Sequence, residues 1–302
     1  MTVMPGTDRA SQTKQTMDNR LTTITISRIA RSLVDLLLPR TCVVCGRPLL
    51  VDEKNLCIGC LADLPLTYFW NMRHNPMADA FNAQVEATSY IRAVALFYYS
   101  GGYEQITQAL KYRRNFAAGR WAGAMLGRFM RDGGWRVDAV CCVPLHWTRR
   151  RSRGYNQAAV IGRSLASSLG APFLPRLLIR SRRTRTQTRL DAQERAKNVA
   201  SAFVADARTC RALQRMHLLL NEGADPLKHP CFDLSVESKF LRTGGSAELS
   251  NVLLTGDISS PTVLIVDDVF TTGSTLAACY RALREAFGDS INIAVATLAF
   301  VE

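Results

Sequence analysis

Val263-Leu264-Ile265-Val266-Asp267-Asp268-Val269-Phe270-Thr271-Thr272-Gly273-Ser274-Thr275 is the stretch that decides the fold of this 302-residue chain. Four apolar residues run into two adjacent carboxylates. A bend of small and hydroxyl-bearing residues follows, and then a helical pattern begins. An unbroken apolar run of this length predicts a strand buried on both faces, as in a parallel sheet. Asp267 and Asp268 then fall at its carboxyl end, where open α/β sheets bind ligands. Thr271, Thr272, Gly273, Ser274 and Thr275 offer backbone N–H groups and hydroxyls at the mouth of the next helix, which suits an anion. Carboxylates beside such a cradle fit a sugar phosphate: the acids accept hydrogen bonds from ribose hydroxyls and the bend holds the phosphate. The competing reading is a buried strand with an ordinary turn. The Asp-Asp pair disfavours it, because neighbouring like charges raise each other's pKa.

Working outward, strand and helix patterns alternate. Strands are predicted over Tyr90–Tyr99, Asp138–Leu145, Leu177–Ile179, Val263–Asp267 and Ile291–Leu298, and helices over Glu104–Arg113, Ala118–Met130, Tyr155–Leu169 and Ser274–Phe287. This rhythm implies an α/β fold with a parallel sheet and right-handed crossovers. Residues 61–88 read as a connector. Residues 206–260 break the rhythm with weak periodicity and many Gly, Pro and Ser, and read as an insertion with one helical piece at Ala212–Leu220. Residues 1–25 read as a polar, disordered N-terminus, and Ile26 to Leu37 as a short amphipathic helix leading into a cysteine-rich module. The domain expectation is therefore a helix plus cysteine module at 26–70 and an α/β domain at 88–302.

Apolar residues make up 47% of the chain, which fits a globular protein with a sizeable core. No apolar run approaches the roughly 20 residues of a membrane span. Arg28, Arg31 and Asp35 interrupt the N-terminal apolar run, so no secretory signal is read there, and a cytoplasmic location without membrane contact is expected. The net charge of +13 is concentrated: Arg149 to Lys197 holds thirteen Lys/Arg against two acids, Asp191 and Glu194. Such a local field attracts pyrophosphate, nucleotides or nucleic acid.

Four of the nine cysteines are spaced Cys42-x2-Cys45-x11-Cys57-x2-Cys60. Two Cys-x-x-Cys knuckles joined by a short ribbon match a structural Zn²⁺ site, whose four thiolates leave no open catalytic position. A redox pair is the rival, which the presence of two knuckles disfavours. Zinc would supply folding energy to a segment too short to bury a core of its own. Cys141 and Cys142 lie in an apolar run and read as small buried hydrophobes.

Pro144-Leu145-His146-Trp147-Thr148-Arg149-Arg150-Arg151-Ser152-Arg153-Gly154-Tyr155-Asn156-Gln157 follows the second predicted strand, where guanidinium groups can clamp phosphates bidentately. The polar run from Arg183 to Val199 has the character of a loop that closes over a charged ligand. The Val263–Thr275 run resembles the signature of the type I phosphoribosyltransferases. Taken with the cysteine knuckles, Lys111-Tyr112, the Pro144–Gln157 run, Gln187, Glu194-Arg195 and Asn198-Val199, the chain resembles the ComF/GntX family over residues 30–302, apart from the 206–260 insertion.

That resemblance implies a type I phosphoribosyltransferase-like parallel sheet flanked by helices, with a small N-terminal zinc ribbon. It implies 5-phosphoribosyl-1-pyrophosphate (PRPP) or a nucleotide as ligand, and Mg²⁺ bridging ribose and pyrophosphate. Asp267 and Asp268 would hold the ribose hydroxyls, and one of them could act as general base. Thr271–Thr275 would hold the 5′-phosphate. Arg149, Arg150 and Arg153 are the candidates for pyrophosphate, with Lys111 and Arg195 in support. It also implies a link to competence, DNA uptake or nucleotide metabolism. Two functions stay open: displacement of pyrophosphate from PRPP, or a non-catalytic accessory that binds single-stranded DNA, or a competence helicase, and uses the fold as a ligand sensor.

Overall fold

The computed structural model describes residues 40–180, 202–221 and 260–302. The expected N-terminal disorder, the helix at 26–37, the basic run at 183–199 with Arg195, and most of the 206–260 insertion lie outside the described residues. The chain divides into two compact units, Met1–Asp63 and Leu64–Glu302.

In the first unit the described part is a cysteine ribbon. The Cys42 N–H donates to Arg47 O (2.8 Å) and the Gly46 N–H to Cys42 O (2.9 Å), closing the first knuckle. The Val43 N–H crosses to Asn55 O (3.0 Å), and helix α1 (Ile58–Ala62) carries the second knuckle. The Glu53 carboxylate accepts from the Leu50 and Ile58 N–H groups, both at 2.7 Å, and so fixes the intervening ribbon. Those two donors hold the Glu53 carboxyl below its usual range.

The second unit is built on a four-stranded parallel sheet of order β1-β6-β5-β2, formed by β1 (Ala93–Tyr98), β2 (Ala139–Cys142), β5 (Thr262–Phe270) and β6 (Asn292–Phe300). The central strand β5 pairs Val263 with Ile293 and Val266 with Ala296 on one edge, and Val263 with Ala139 on the other. Val263 to Val266 are fully buried, as expected of a strand covered on both faces. Helices α3 (Glu104–Tyr112), α4 (Phe116–Asp132), α6 (Gln157–Leu169) and α8 (Ser274–Phe287) flank the sheet. Helices α4 and α6 approach closely because glycines line the contact. A Cβ at Gly123 would sit 2.5 Å from Ile161 O, and one at Gly127 would sit 2.7 Å from Leu165 O.

Several elements depart from the sequence expectation. Residues 61–88 are not a bare connector. Besides α1 they contain a 3₁₀ turn (Phe69–Asn71) and helix α2 (Pro76–Asn82), capped by Asn75, whose side chain accepts from the Ala78 N–H at 2.9 Å. Phe69, Trp70, Met77 and Phe81 are buried. The arginine-rich run that follows the second predicted strand is helical over Trp147–Arg153 (α5). Like charges one turn apart mask helical character in a sequence. Strand β3 (Leu178–Arg180) stands outside the parallel sheet and pairs antiparallel with β4 (Phe203–Ala205). Asp206 caps helix α7 (Ala207–Asn221), accepting from the Thr209 N–H (3.0 Å) and Oγ1 (2.7 Å), so the stretch from 206 begins as an ordered helix. Strand β5 runs past both acids to Phe270, which pairs with Phe300.

Candidate functional site

Asp267 and Asp268 are consecutive in β5 and meet different neighbours. Asp268 meets Lys111 of α3, with Oδ2 3.0 Å from Nζ. Asp267 is close enough to Cys142 and Cys279 for its charge to raise both thiols. The pair stays in mutual reach, because the Asp268 N–H donates to Asp267 Oδ1 at 2.9 Å. Burial, and then the Asp268 charge, push the Asp267 carboxyl up to about 8, against the opposing pull of that N–H and of Lys111.

The raised carboxyl makes stability depend on pH. Unfolded, Asp267 loses its proton near pH 4; folded, it does so near 8. Between these values the folded chain holds the extra proton, so stability falls as pH rises across that window and the penalty is complete above it. Asp267→Asn is expected to match the parent near pH 4 and exceed it by about 5 kcal/mol at pH 8. Urea denaturation at both pH values checks this, and equal stability at pH 8 would contradict it.

Downstream, β5 ends on Phe270 and the chain turns through Thr271, Thr272 and Gly273 into α8. Thr271, Thr272 and Ser274 are exposed, Thr275 is half-buried and Gly273 is buried. Helix α8 starts at Gly273 without a side-chain cap from that residue, and the Ser274 N–H reaches only as far as the Thr272 hydroxyl at 3.5 Å. Thr272 Oγ1 and Ser274 Oγ lie 2.5 Å apart, and the Gln84 carboxamide donates to Thr272 O. Gly273 has φ +76°, and a Cβ there would meet Phe270 Cζ at 2.6 Å. Phe270 is itself held against Phe300 (ring centroids 5.8 Å apart), which packs on Phe69 (5.6 Å). The bend is thus seated on an aromatic stack that leaves no room for a side chain. Gly273→Ala is expected to cost about 2 kcal/mol, from left-handed backbone plus overlap with the ring. A thermal melt should fall by several degrees, and an unchanged melt would mean the bend is not so constrained.

The arginine candidates are placed unevenly. Arg149 and Arg150 lie on α5, and their side chains are outside the described residues. Arg153 is half-buried, its guanidinium carbon 5.5 Å from the Tyr112 ring centroid. It joins Lys111, Tyr112, Arg114, Thr148, Ser152 and Tyr155 around a cleft of about 530 Å³. Arg114 and Gln84 are additions to the site that sequence reasoning missed, and Tyr112, read there only as part of the Lys111-Tyr112 motif, lines the cleft. The signal for Arg114 was the basic run Lys111-Tyr112-Arg113-Arg114 between two helical patterns, and Gln84 carried none. Cys141 and Cys142 are buried in β2, where burial pushes both thiols up, Cys142 to about 12, so neither is poised as a nucleophile.

In the ribbon, Cys42, Cys45, Cys57 and Cys60 bring their sulfur atoms within 4.8 Å of one another. Cys45 and Cys57 Sγ are 3.7 Å apart. Tetrahedral Zn–S bonds of about 2.3 Å require sulfurs about 3.8 Å apart, so the donor set and its spacing fit zinc. Burial raises the Cys42 thiol, but N–H groups of Cys45, Cys57 and Val44 outweigh it and bring it down to about 6.

No helix among the described residues is long and apolar enough to cross a membrane. Residues 157–299 match the family described as phosphoribosyl transferase domain, a span that includes both acids and the bend but none of the residues that line the cleft, Lys111 among them. The chain is also similar to Competence protein F of Haemophilus influenzae strain Rd, being 23% identical over 261 residues, which cover 83% of this chain and 94% of that protein. The chain therefore matches a phosphoribosyl transferase domain over residues 157–299 and has a four-cysteine cluster earlier in its sequence, and its resemblance to the ComF family, first visible in its motifs, extends over most of its length.

Proposed function

We propose that the protein binds PRPP with Mg²⁺ on the carboxyl side of β5 and, with an acceptor present, displaces pyrophosphate. The observation that carries this reading is the bend Thr271–Thr275, with exposed Thr271, Thr272 and Ser274 at the start of a helix that lacks a side-chain N-cap, three residues beyond Asp268, which meets Lys111. The bend holds the 5′-phosphate through backbone N–H groups and hydroxyls. Asp267 and Asp268 accept hydrogen bonds from the ribose hydroxyls and orient the anomeric carbon. Lys111, with the arginines of α5 (Arg149, Arg150 and Arg153), balances the charge that develops on the departing pyrophosphate. Mg²⁺, when bound with PRPP, supplies further neutralisation of the phosphates. The four cysteines hold a structural zinc.

The similarity to a competence protein supports a role in DNA uptake. In this reading the basic stretch Arg149–Lys197 gives affinity for single-stranded DNA, and a competence helicase is the protein partner. Calorimetric titration of the zinc-loaded full chain with PRPP and Mg²⁺ tests the core of the proposal. One saturable site per chain is expected, and the absence of binding would refute it.

A further inference from the structure

Helix α2 lies outside residues 157–299, the span matched by the transferase domain, yet Gln84, just past its end, reaches the bend Thr271–Thr275. We propose that Gln84 is a positioning residue for that bend: its carboxamide holds the Thr272 carbonyl away from the anion and so turns the Gly273 N–H toward it. The inference rests on the PRPP reading above.

Helix α2 is a firm base for such a contact. Met77, Ala78 and Phe81 are fully buried. Asn75 Nδ2 donates to Ala93 O (3.0 Å) and Asn82 Nδ2 to Ile91 O (2.8 Å), so both ends of the helix are tied to β1 and the chain entering it. The same segment is fastened to α8, the helix that begins at the bend. The Phe81 ring meets Tyr280 edge-on, with centroids 6.1 Å apart. Arg281 Nη1 donates to the Gln84 backbone carbonyl at 3.3 Å, and Thr88 Oγ1 donates to Asp289 Oδ1, also at 3.3 Å. These contacts set the Gln84 backbone in place relative to α8.

The Gln84 side chain has both of its amide hydrogens engaged. Nε2 donates to Ala80 O at 3.0 Å and to Thr272 O. Both neighbours are carbonyl oxygens, so the nitrogen and not the oxygen of the carboxamide must face them. Nε2 also lies 3.0 Å from the point a Gly273 Cβ would occupy, which seats it over the peptide between Thr272 and Gly273.

A trans peptide is planar, with its C=O and N–H on opposite sides, and the described residues contain no cis peptide. Holding Thr272 O against Gln84 therefore sends the Gly273 N–H the other way. Glycine does not settle this orientation by itself, because it enters positive and negative φ about equally well. Turning that peptide over would put a carbonyl dipole where the N–H had been, and an anion is drawn to the N–H end and repelled by the oxygen. The neighbouring carbonyls have anchors of their own: the Val301 N–H donates to Phe270 O and the Ala277 N–H to Gly273 O, both at 2.9 Å. For Thr272 O that anchor is Gln84.

The test uses Gln84→Met, which keeps the length of the side chain and loses the donor, and Gln84→Glu, which keeps its shape and presents oxygen to the two carbonyls. Each variant, as the zinc-loaded full chain, is titrated calorimetrically with PRPP and Mg²⁺, with ribose 5-phosphate, and with pyrophosphate and Mg²⁺. Both variants are expected to bind PRPP and ribose 5-phosphate about tenfold more weakly than the parent, and pyrophosphate within about twofold of it. General damage to the fold would not separate the two ends of the ligand in this way. Ribose 5-phosphate bound as tightly by both variants as by the parent would overturn the assignment. So would an equal loss toward pyrophosphate, which would leave Gln84 a purely structural role. If the parent chain binds neither PRPP nor ribose 5-phosphate, the sugar-phosphate reading fails and the assignment with it; unchanged affinity in variants of a chain that does bind them removes Gln84 alone.

Discussion

Asp267→Asn/Asp268→Asn is expected to lower PRPP affinity by about 30-fold or more in calorimetric titration with Mg²⁺. Asp268 offers charge-assisted hydrogen bonds to ribose hydroxyls, worth about 1.5–3 kcal/mol, and Asp267, which burial holds up to about 8, offers neutral ones worth about 0.5–1.5 kcal/mol. Losing both removes about 2–4.5 kcal/mol. The loss cannot be assigned to unfolding. Asn is close to isosteric with Asp, and at Asp267 it removes a carboxyl that burial already holds up to about 8. The variant should therefore bind less while gaining stability at alkaline pH, because ligand binding and fold stability place opposite demands on this residue. Retained affinity in a folded double variant would separate the acids from the ligand.

Loss of metal from the ribbon is expected to have the other large effect. Its described core is small, with Cys42, Val43, Leu49, Leu56 and Cys57 its buried members. Two of these are proposed ligands, so the segment has little apolar surface to hold it together. Structural zinc contributes about 10–16 kcal/mol of apparent binding free energy in comparable sites. Purified protein should carry about one zinc per chain. Chelation, or Cys42→Ser with Cys57→Ser, should expose residues 40–63 to protease, while the unit from Leu64 onward keeps its helical circular dichroism. Metal-free protein in which that segment still resists protease would contradict the assignment.

Legibility from sequence followed how locally each feature is encoded. The β5 run was readable because a fully buried strand leaves an unbroken apolar segment, and helix α8 because its apolar positions recur at helical spacing. The cysteine module was readable because thiolate ligands at fixed spacing tolerate few alternatives. The sequence misplaced the end of β5, since Val269 and Phe270 extend the pairing beyond two charged residues that ordinarily mark a strand's exit. It missed α2, whose Asn75-Pro76 start is a cap signal buried in a stretch of mixed composition. It had no means of finding the cleft. Arg114 lines the same cleft as Thr148, Ser152 and Arg153 only because the α3–α4 corner and α5 come to one place. Nor could it show that Phe270 props Gly273, a contact between residues whose local signals are merely apolar and flexible.

The most direct measurement is a crystal structure of the full chain with PRPP and Mg²⁺. The 5′-phosphate should lie within hydrogen-bond distance of the backbone N–H groups of Thr271–Thr275, and the ribose hydroxyls should meet the Asp267 and Asp268 carboxylates. A phosphate seated away from that bend, or a ribose that touches neither acid, would contradict the account.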